Sequence, residues 1–144
     1  MYLKQLSLIN FKNYPEFEAR FSEKINCFVG NNGVGKTNLL DAIHYLSFCK
    51  SYFNAIDSQN IKHNEGFFVI QGVFERFGED IEVYCGLKRN QKKVFKKNKR
   101  EYERLSEHIG QFPLVMISPN DSELINGVSE IRRRFLDSII SQYD

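Results

Sequence analysis

The chain has 144 residues, of which 42% are hydrophobic and 26% charged, which suits a single globular domain and excludes a disordered or collagen-like polymer. No apolar run approaches the roughly 20 residues of a membrane span, and Lys4, Asn10, Lys12 and Asn13 interrupt the N-terminal apolars in a way a secretory leader does not. A soluble, cytoplasmic protein with no membrane partner is therefore expected. Net charge is only +2, but residues 88–104 hold nine basic side chains against Glu101 and Glu103, so that stretch carries +7 and the remainder −5. Such a stripe suits the phosphates of nucleic acid, or it is a solvated hairpin whose lysines block edge-to-edge pairing; composition leaves both open. Cys27, Cys49 and Cys85 are odd in number and form no CxxC, so they read as reduced thiols behaving as small apolar residues.

Tyr2–Phe11 reads as a strand with Leu6, Leu8 and Asn10 on one face and Leu3, Ile9 and Phe11 on the other. A turn at Asn13-Tyr14-Pro15 leads into residues 16–22, where Phe17, Ala19 and Phe21 alternate with Glu16, Glu18 and Arg20. Ile25–Val29 is short and mostly apolar, the pattern of a strand buried on both faces. After a glycine-rich loop, Lys36–Lys50 has helical periodicity through Leu39, Leu40, Ile43, Leu46 and Phe48. Residues 51–66 are irregular, with a short helix near Asp57. Phe67–Arg76 and Ile81–Lys88 are strands around a turn at residues 77–80, and the basic stretch forms a further hairpin turning at residues 97–99. Arg104–Ile109 reads as a short helix ended by Gly110. Pro113–Ile117 is a second buried-strand candidate, followed by a helix start with Ser118 as N-cap and Pro119 at its first position. A last helix from about Ser129 to Gln142 places Ile131, Phe135, Ser138 or Ile139, and Gln142 on one stripe.

The strongest chemical signal is Gly30-Asn31-Asn32-Gly33-Val34-Gly35-Lys36-Thr37, which matches G-x-x-x-x-G-K-[ST] in full and lies between an apolar strand pattern and an amphipathic helix. The glycines let the backbone curl so that successive N–H groups point at phosphate oxygens, and the helix N-terminus adds its dipole. Lys36 reaches the β- and γ-phosphates, and the Thr37 hydroxyl can ligate Mg²⁺. A GTPase is not indicated: Asn98-Lys99-Arg100-Glu101 is a near miss to the base-reading motif, in the wrong context, and no D-x-x-G occurs. A small-molecule kinase would continue into further α/β units, whereas here the helix leads into alternating strands with short turns. Neither a Walker B acid nor a Leu-Ser-Gly-Gly signature is present, so the phosphate cradle comes without evident hydrolytic machinery.

Leu6–Tyr14, Gly30–Ala42 and Lys50-Ser51-Tyr52 resemble the first strand, the Walker A region and the post-helix segment of the RecF family, relatives of the SMC and Rad50 ATPase heads. Ile117–Asp121, Leu124–Gly127 and Arg132-Arg133-Arg134-Phe135-Leu136-Asp137 are similar to further RecF segments, in register along the chain. The resemblance implies an α/β P-loop core of ABC-ATPase type with an antiparallel β subdomain, incomplete at the C-terminus, residues 1–144 being one domain of a longer protein. It implies a bacterial protein of recombinational repair and replication that binds ATP and Mg²⁺, dimerises around ATP, binds DNA, and works with RecO and RecR to load RecA at single-strand gaps. Walker B and signature motifs would lie beyond Asp144, so this chain is expected to hydrolyse little. Lys12 and Asn13 match positions that approach nucleotide in related heads, or are an exposed turn. No γ-phosphate-sensing Gln is assigned, Gln111 lying just upstream of the expected strand, and Asn120 stands where the family usually has an acid. Arg132, Arg133 and Arg134 serve a head–head or DNA interface, or lie exposed while Phe135 and Leu136 face the core. Two rival functions stay open on residues alone: a P-loop small-molecule kinase, and a non-enzymatic nucleic-acid-binding module.

Overall fold

The computed structural model describes residues 1–143. Alternating apolar residues build one six-stranded antiparallel sheet. Strands β1 (Tyr2–Phe11) and β2 (Tyr14–Arg20) form a hairpin; β3 (Phe67–Arg76), β4 (Glu79–Lys88), β5 (Val94–Lys97) and β6 (Arg100–Glu101) follow, in the spatial order β2-β1-β3-β4-β5-β6. Leu6, Leu8, Phe68, Ile70, Phe74, Val83, Cys85, Leu87 and Phe95 point to one face and are buried there. Helix α1 (Lys36–Phe48) covers that face through Leu39, Ala42, Tyr45 and Leu46. Tyr45 is its central anchor, with ring centroids 6.1 Å from Phe11, 5.6 Å from Phe68 and 6.4 Å from Phe95. The helix lies close because β3 carries Gly72: a Cβ there would stand 2.5 Å from the Leu46 side chain.

Several expectations need correction. Phe11 is buried with Leu6 and Leu8, while Ile9 is exposed. The cause is Asn10, whose left-handed backbone (φ 51°) breaks the two-residue alternation and turns Phe11 inward. The first hairpin turns at Lys12-Asn13, one residue earlier than the Asn-Tyr-Pro signal suggests, and Tyr14 already pairs with Phe11. The turn between β3 and β4 is only Phe77-Gly78, both at positive φ (54° and 82°), the geometry that matches strand twist; Glu79 and Asp80 are paired in the ladder. The basic hairpin turns at Asn98-Lys99 as expected, again with two positive φ values.

The largest departure concerns the two expected buried strands. Residues 25–29 and 113–117 form no ladder, and Ile25, Val29, Val115 and Ile117 are 81%, 91%, 66% and 81% exposed. A strand exists only where a neighbour supplies hydrogen bonds, and among the described residues no strand runs beside either segment. Cys27 is accordingly exposed, unlike Cys49 and Cys85, which are buried as small apolar residues. Arg104–Ile109 reduces to one 3-10 turn at Leu105–Glu107, stopped by Gly110 at φ 84°. The start at Ser118 is real: the Asp121 carboxylate accepts from the Ser118 backbone N–H at 2.6 Å. It opens a 3-10 turn (Pro119–Ser122), then α2 (Glu123–Asn126) and α3 (Ser129–Ile140). The α3 stripe of Ile131, Phe135, Ile139 and Gln142 is half-buried, but Leu136 is 55% exposed and does not face the core.

His108 closes the far end of the core. It is fully buried, with its ring 5.0–5.2 Å from those of Phe95, Tyr102 and Phe112. Its Nε2 donates to the Leu46 carbonyl at 2.6 Å, and Nδ1 has no partner. Burial holds this imidazole below its ordinary pKa of 6.5, and nearby Lys97 acts in the same direction; burial likewise lowers His44. Below about pH 6.5 the unfolded chain thus binds protons that the folded chain refuses. The contribution of these two imidazoles to stability is therefore expected to be constant above that pH and to fall as pH drops through it. Urea midpoints measured against pH should show this slope, and His108→Gln should make it shallower while leaving the His44 part.

Candidate functional site

The glycine-rich loop sits at the surface where α1 begins. Asn31, Asn32, Gly33 and Val34 are exposed, Gly35 is buried, and Lys36 and Thr37 open the helix. Gly33 (φ 82°) and Gly35 (φ 112°) supply the positive-φ turns that curl the backbone. The first turn of α1 carries no acidic residue and no side-chain cap, so its N–H groups face outward without an internal acceptor. Lys36 Nζ folds back to donate to the carbonyls of Gly30 (2.7 Å) and Asn31 (2.8 Å). The expected residues, Gly30 to Thr37, thus form one curled loop closed by the Lys36 ammonium on its own carbonyls.

The first hairpin holds this cradle in place. Asn13 Nδ2 donates to the Val34 carbonyl at 3.0 Å, and the Tyr14 hydroxyl donates to the Gly35 carbonyl at 3.0 Å. Asn38, on α1, donates to Asn13 Oδ1 at 2.7 Å. The contact is close enough that a Cβ on Gly35 would lie 2.6 Å from the Asn13 amide and 2.9 Å from the Tyr14 hydroxyl. Asn13 is therefore at the site, as one of the two readings expected. Lys12 is not a free ligand: its side chain is 9% exposed and forms an ion pair with the fully buried Asp41 of α1. Asp41 also accepts from the Ser51 hydroxyl (2.6 Å) and the Tyr52 N–H (2.7 Å), so one carboxylate ties the hairpin, the helix and the post-helix segment together.

Beside the loop lies an open cleft of about 810 Å³, walled by Asn13, Asn38, Lys62, His63 and Arg89. Residues 57–63 reach it because Lys12 N–H donates to the Asn60 carbonyl and Lys62 N–H to the Asn10 carbonyl, both at 2.8 Å. Sequence reasoning missed Lys62 and His63, which no motif or spacing flags; Arg89 belongs to the basic stretch 88–104, but nothing in the sequence places it beside this cleft. The basic stretch divides in two. Lys93 is bonded to Asp57 (2.7 Å) and the Cys49 carbonyl (2.6 Å), and Lys97 donates to Gln111. Both are structural, whereas Lys88, Lys92, Lys99, Arg100 and Arg104 are exposed. Of the arginine run, Arg132 donates to the Gly127 carbonyl at 2.9 Å and Arg134 pairs with Glu130. Gln111 is spent on Lys97 and Glu107.

The chain matches the AAA ATPase domain family over residues 1–130. It is 65% identical to the DNA replication and repair protein RecF of Phocaeicola vulgatus and 61% identical to that of Bacteroides thetaiotaomicron, covering all of this chain and 39% of each relative. The chain thus spans about two-fifths of the length of the curated relatives it matches. A solved structure of the recombination mediator protein RecF-ATPrS in the RecFOR pathway superposes with TM-score 0.93 at 34% identity, covering 99% of this chain and 39% of that one. An SMC head domain from Thermotoga maritima superposes with TM-score 0.66 at 26% identity, covering 94% of this chain and 54% of that one. The ABC-type P-loop fold class with its antiparallel sheet agrees with these neighbours.

Two substitutions check the architecture of the cradle. Asp41→Ala leaves the Lys12 ammonium without its partner and should cost about 3–5 kcal/mol in urea unfolding. Tyr14→Phe removes one hydrogen bond and should cost about 1 kcal/mol.

Proposed function

This chain belongs to the AAA ATPase domain family, and on that premise we propose that it is the ATP-binding N-terminal part of a RecF-type protein of DNA replication and repair. The observation that carries the reading is the Gly30–Thr37 cradle itself, clamped from behind by Asn13 and Tyr14. Loop N–H groups and the open first turn of α1 face the phosphates. Lys36 exchanges the Gly30 and Asn31 carbonyls for β- and γ-phosphate oxygens, a move of its flexible stem that leaves the loop in place. The cleft walled by Lys62, His63 and Arg89 opens beside the loop.

Mg²⁺ fits the donor set in a limited way. Among the described residues no group of three or more His, Cys, Asp or Glu gathers at one point, so Thr37 would supply a single hard oxygen. That suits Mg²⁺, which keeps several waters and takes its other ligands from phosphate. When bound, the ion neutralises phosphate charge; the chain's own contribution is to orient the triphosphate and hold the Thr37 hydroxyl beside it.

The same resemblance supports DNA as a partner, an ATP-dependent homodimer of the longer protein, and action with RecO and RecR at single-strand gaps in the cytoplasm to promote RecA loading. Among the described residues no helix is long and apolar enough to cross a membrane. On this reading hydrolysis is an activity of full-length RecF-type proteins, of whose length the chain spans about two-fifths. The kinase alternative is disfavoured by the antiparallel strands that follow α1.

Lys36→Ala is the direct test. Lys36 touches only loop carbonyls and is not part of the core, so the variant should keep its unfolding midpoint and lose ATP binding in calorimetry. Unchanged ATP affinity would refute the assignment of the site.

A further inference from the structure

We propose that the outward face of the sheet across β3, β4 and β5 receives unpaired nucleic-acid bases, with Tyr84 as the stacking surface and Lys88, Lys92 and Lys96 as phosphate contacts. The proposal rests on the DNA-handling reading above and adds where and how a strand is held. The ladder register aligns Ser7, Gln71, Tyr84 and Lys96 in one outward row, and Ile9, Val69, Gly86 and Val94 in the next. Phe67 stands opposite Lys88 and is 43% exposed; Ile9 is 40% exposed. Large apolar groups therefore remain uncovered on the face opposite α1.

Tyr84 lies flat there for a specific reason. Its neighbour along the strand face is Gly86, and a Cβ at that position would meet the Tyr84 hydroxyl at 2.7 Å and ring carbons at 3.1 Å. Only glycine lets the ring rest on the backbone with its other face outward. The ammonium group of Lys96 sits over it, 5.7 Å from the centroid. Together with Phe67 and Val69 these residues wall a shallow groove of about 320 Å³. Three lysines line it and no carboxylate does.

The two-residue period of β5 separates this charge from the structural lysines. Lys93 and Lys97 make internal bonds to Asp57 and Gln111, while Lys96 and Val94 point outward. A groove with a flat aromatic floor, three lysines and no carboxylate in its lining fits a polyanion that carries flat π-faces, an incoming base taking the place of the Lys96 ammonium over the ring. In a duplex those faces are stacked on one another; in a single strand they are available, and stacking on an aromatic side chain is tolerant of sequence. An acidic peptide would satisfy the lysines but leave the ring unused.

The test is fluorescence anisotropy on the full protein, using a labelled oligothymidine strand and a duplex of equal length, across a salt series. Tyr84→Ala and Tyr84→Leu should each weaken oligothymidine binding about tenfold and leave duplex binding nearly unchanged, while Tyr84→Phe keeps wild-type affinity. Tyr84→Leu keeps an apolar cover over Gly86, so it reports on the ring even where the alanine variant is destabilised. Changing Lys88, Lys92 and Lys96 together to Gln should flatten the log–log salt slope for the single strand by about 2. ATP binding should be unaltered in every variant. Loss of affinity for duplex as large as for oligothymidine, or no loss in Tyr84→Leu, would overturn the stacking assignment while leaving the DNA-handling reading intact. Displacement of oligothymidine by polyglutamate as effectively as by unlabelled strand would overturn it in favour of an acidic protein. Wild-type protein that binds neither strand nor duplex would remove both.

Discussion

The buried ion pair between Lys12 and Asp41 is the constraint on which the glycine-rich loop and its surroundings depend. Both groups are withdrawn from water, and such a pair is stable only when the remaining lone pairs are satisfied. Here Ser51 and the Tyr52 N–H complete the shell of Asp41. The result is a three-way junction of the β1–β2 turn, the second turn of α1 and the segment after α1. Because the turn is fixed there, Asn13 and Tyr14 arrive at the carbonyls of Val34 and Gly35 without a search. A loop rich in glycine has high conformational entropy, and the Asn13 and Tyr14 contacts offset part of that cost at Val34 and Gly35.

A second anchor works at the other end of α1. Tyr45 fills the space between Phe11, Phe68 and Phe95, and its hydroxyl donates to Asp57, which also holds Lys93. Desolvation pushes the Tyr45 phenol well above its ordinary pKa and the Cys49 thiol up to about 12, so both stay neutral and donate or pack without titrating. The same Lys93 contact fixes the start of β5. One helix is therefore tied to the first hairpin through Asp41 and Lys12, and at its C-terminus to the basic hairpin through Lys93, by hydrogen-bonded charge in each case.

The two apolar segments at residues 25–29 and 113–117 behave differently. Their composition is that of buried strands, yet they are unladdered and Ile25, Val29, Val115 and Ile117 lie exposed. Composition sets what a segment would gain by pairing, whereas pairing itself needs a second strand at about 4.8 Å. The glycine-rich loop is nevertheless held at Val34 and Gly35, whose carbonyls accept from Asn13 and Tyr14.

The sequence by itself determined the local features. The cradle Gly30–Thr37, the helix behind it, the β3–β4 hairpin and the basic turn at Asn98-Lys99 are each specified by residues near one another in the chain, through glycine φ values, helical period or strand alternation. Tertiary structure alone decided the rest. Only packing shows that Lys12 belongs to Asp41 rather than to a ligand, that Lys93 and Lys97 are internal while Lys92 is free, and that Lys62 and Arg89 wall the same cleft as Asn13. The physical reason is common to all three: a charged side chain has the same sequence signature whether it is solvated or paired. Which one it becomes depends on a partner tens of residues away, and that distance is closed only by the fold.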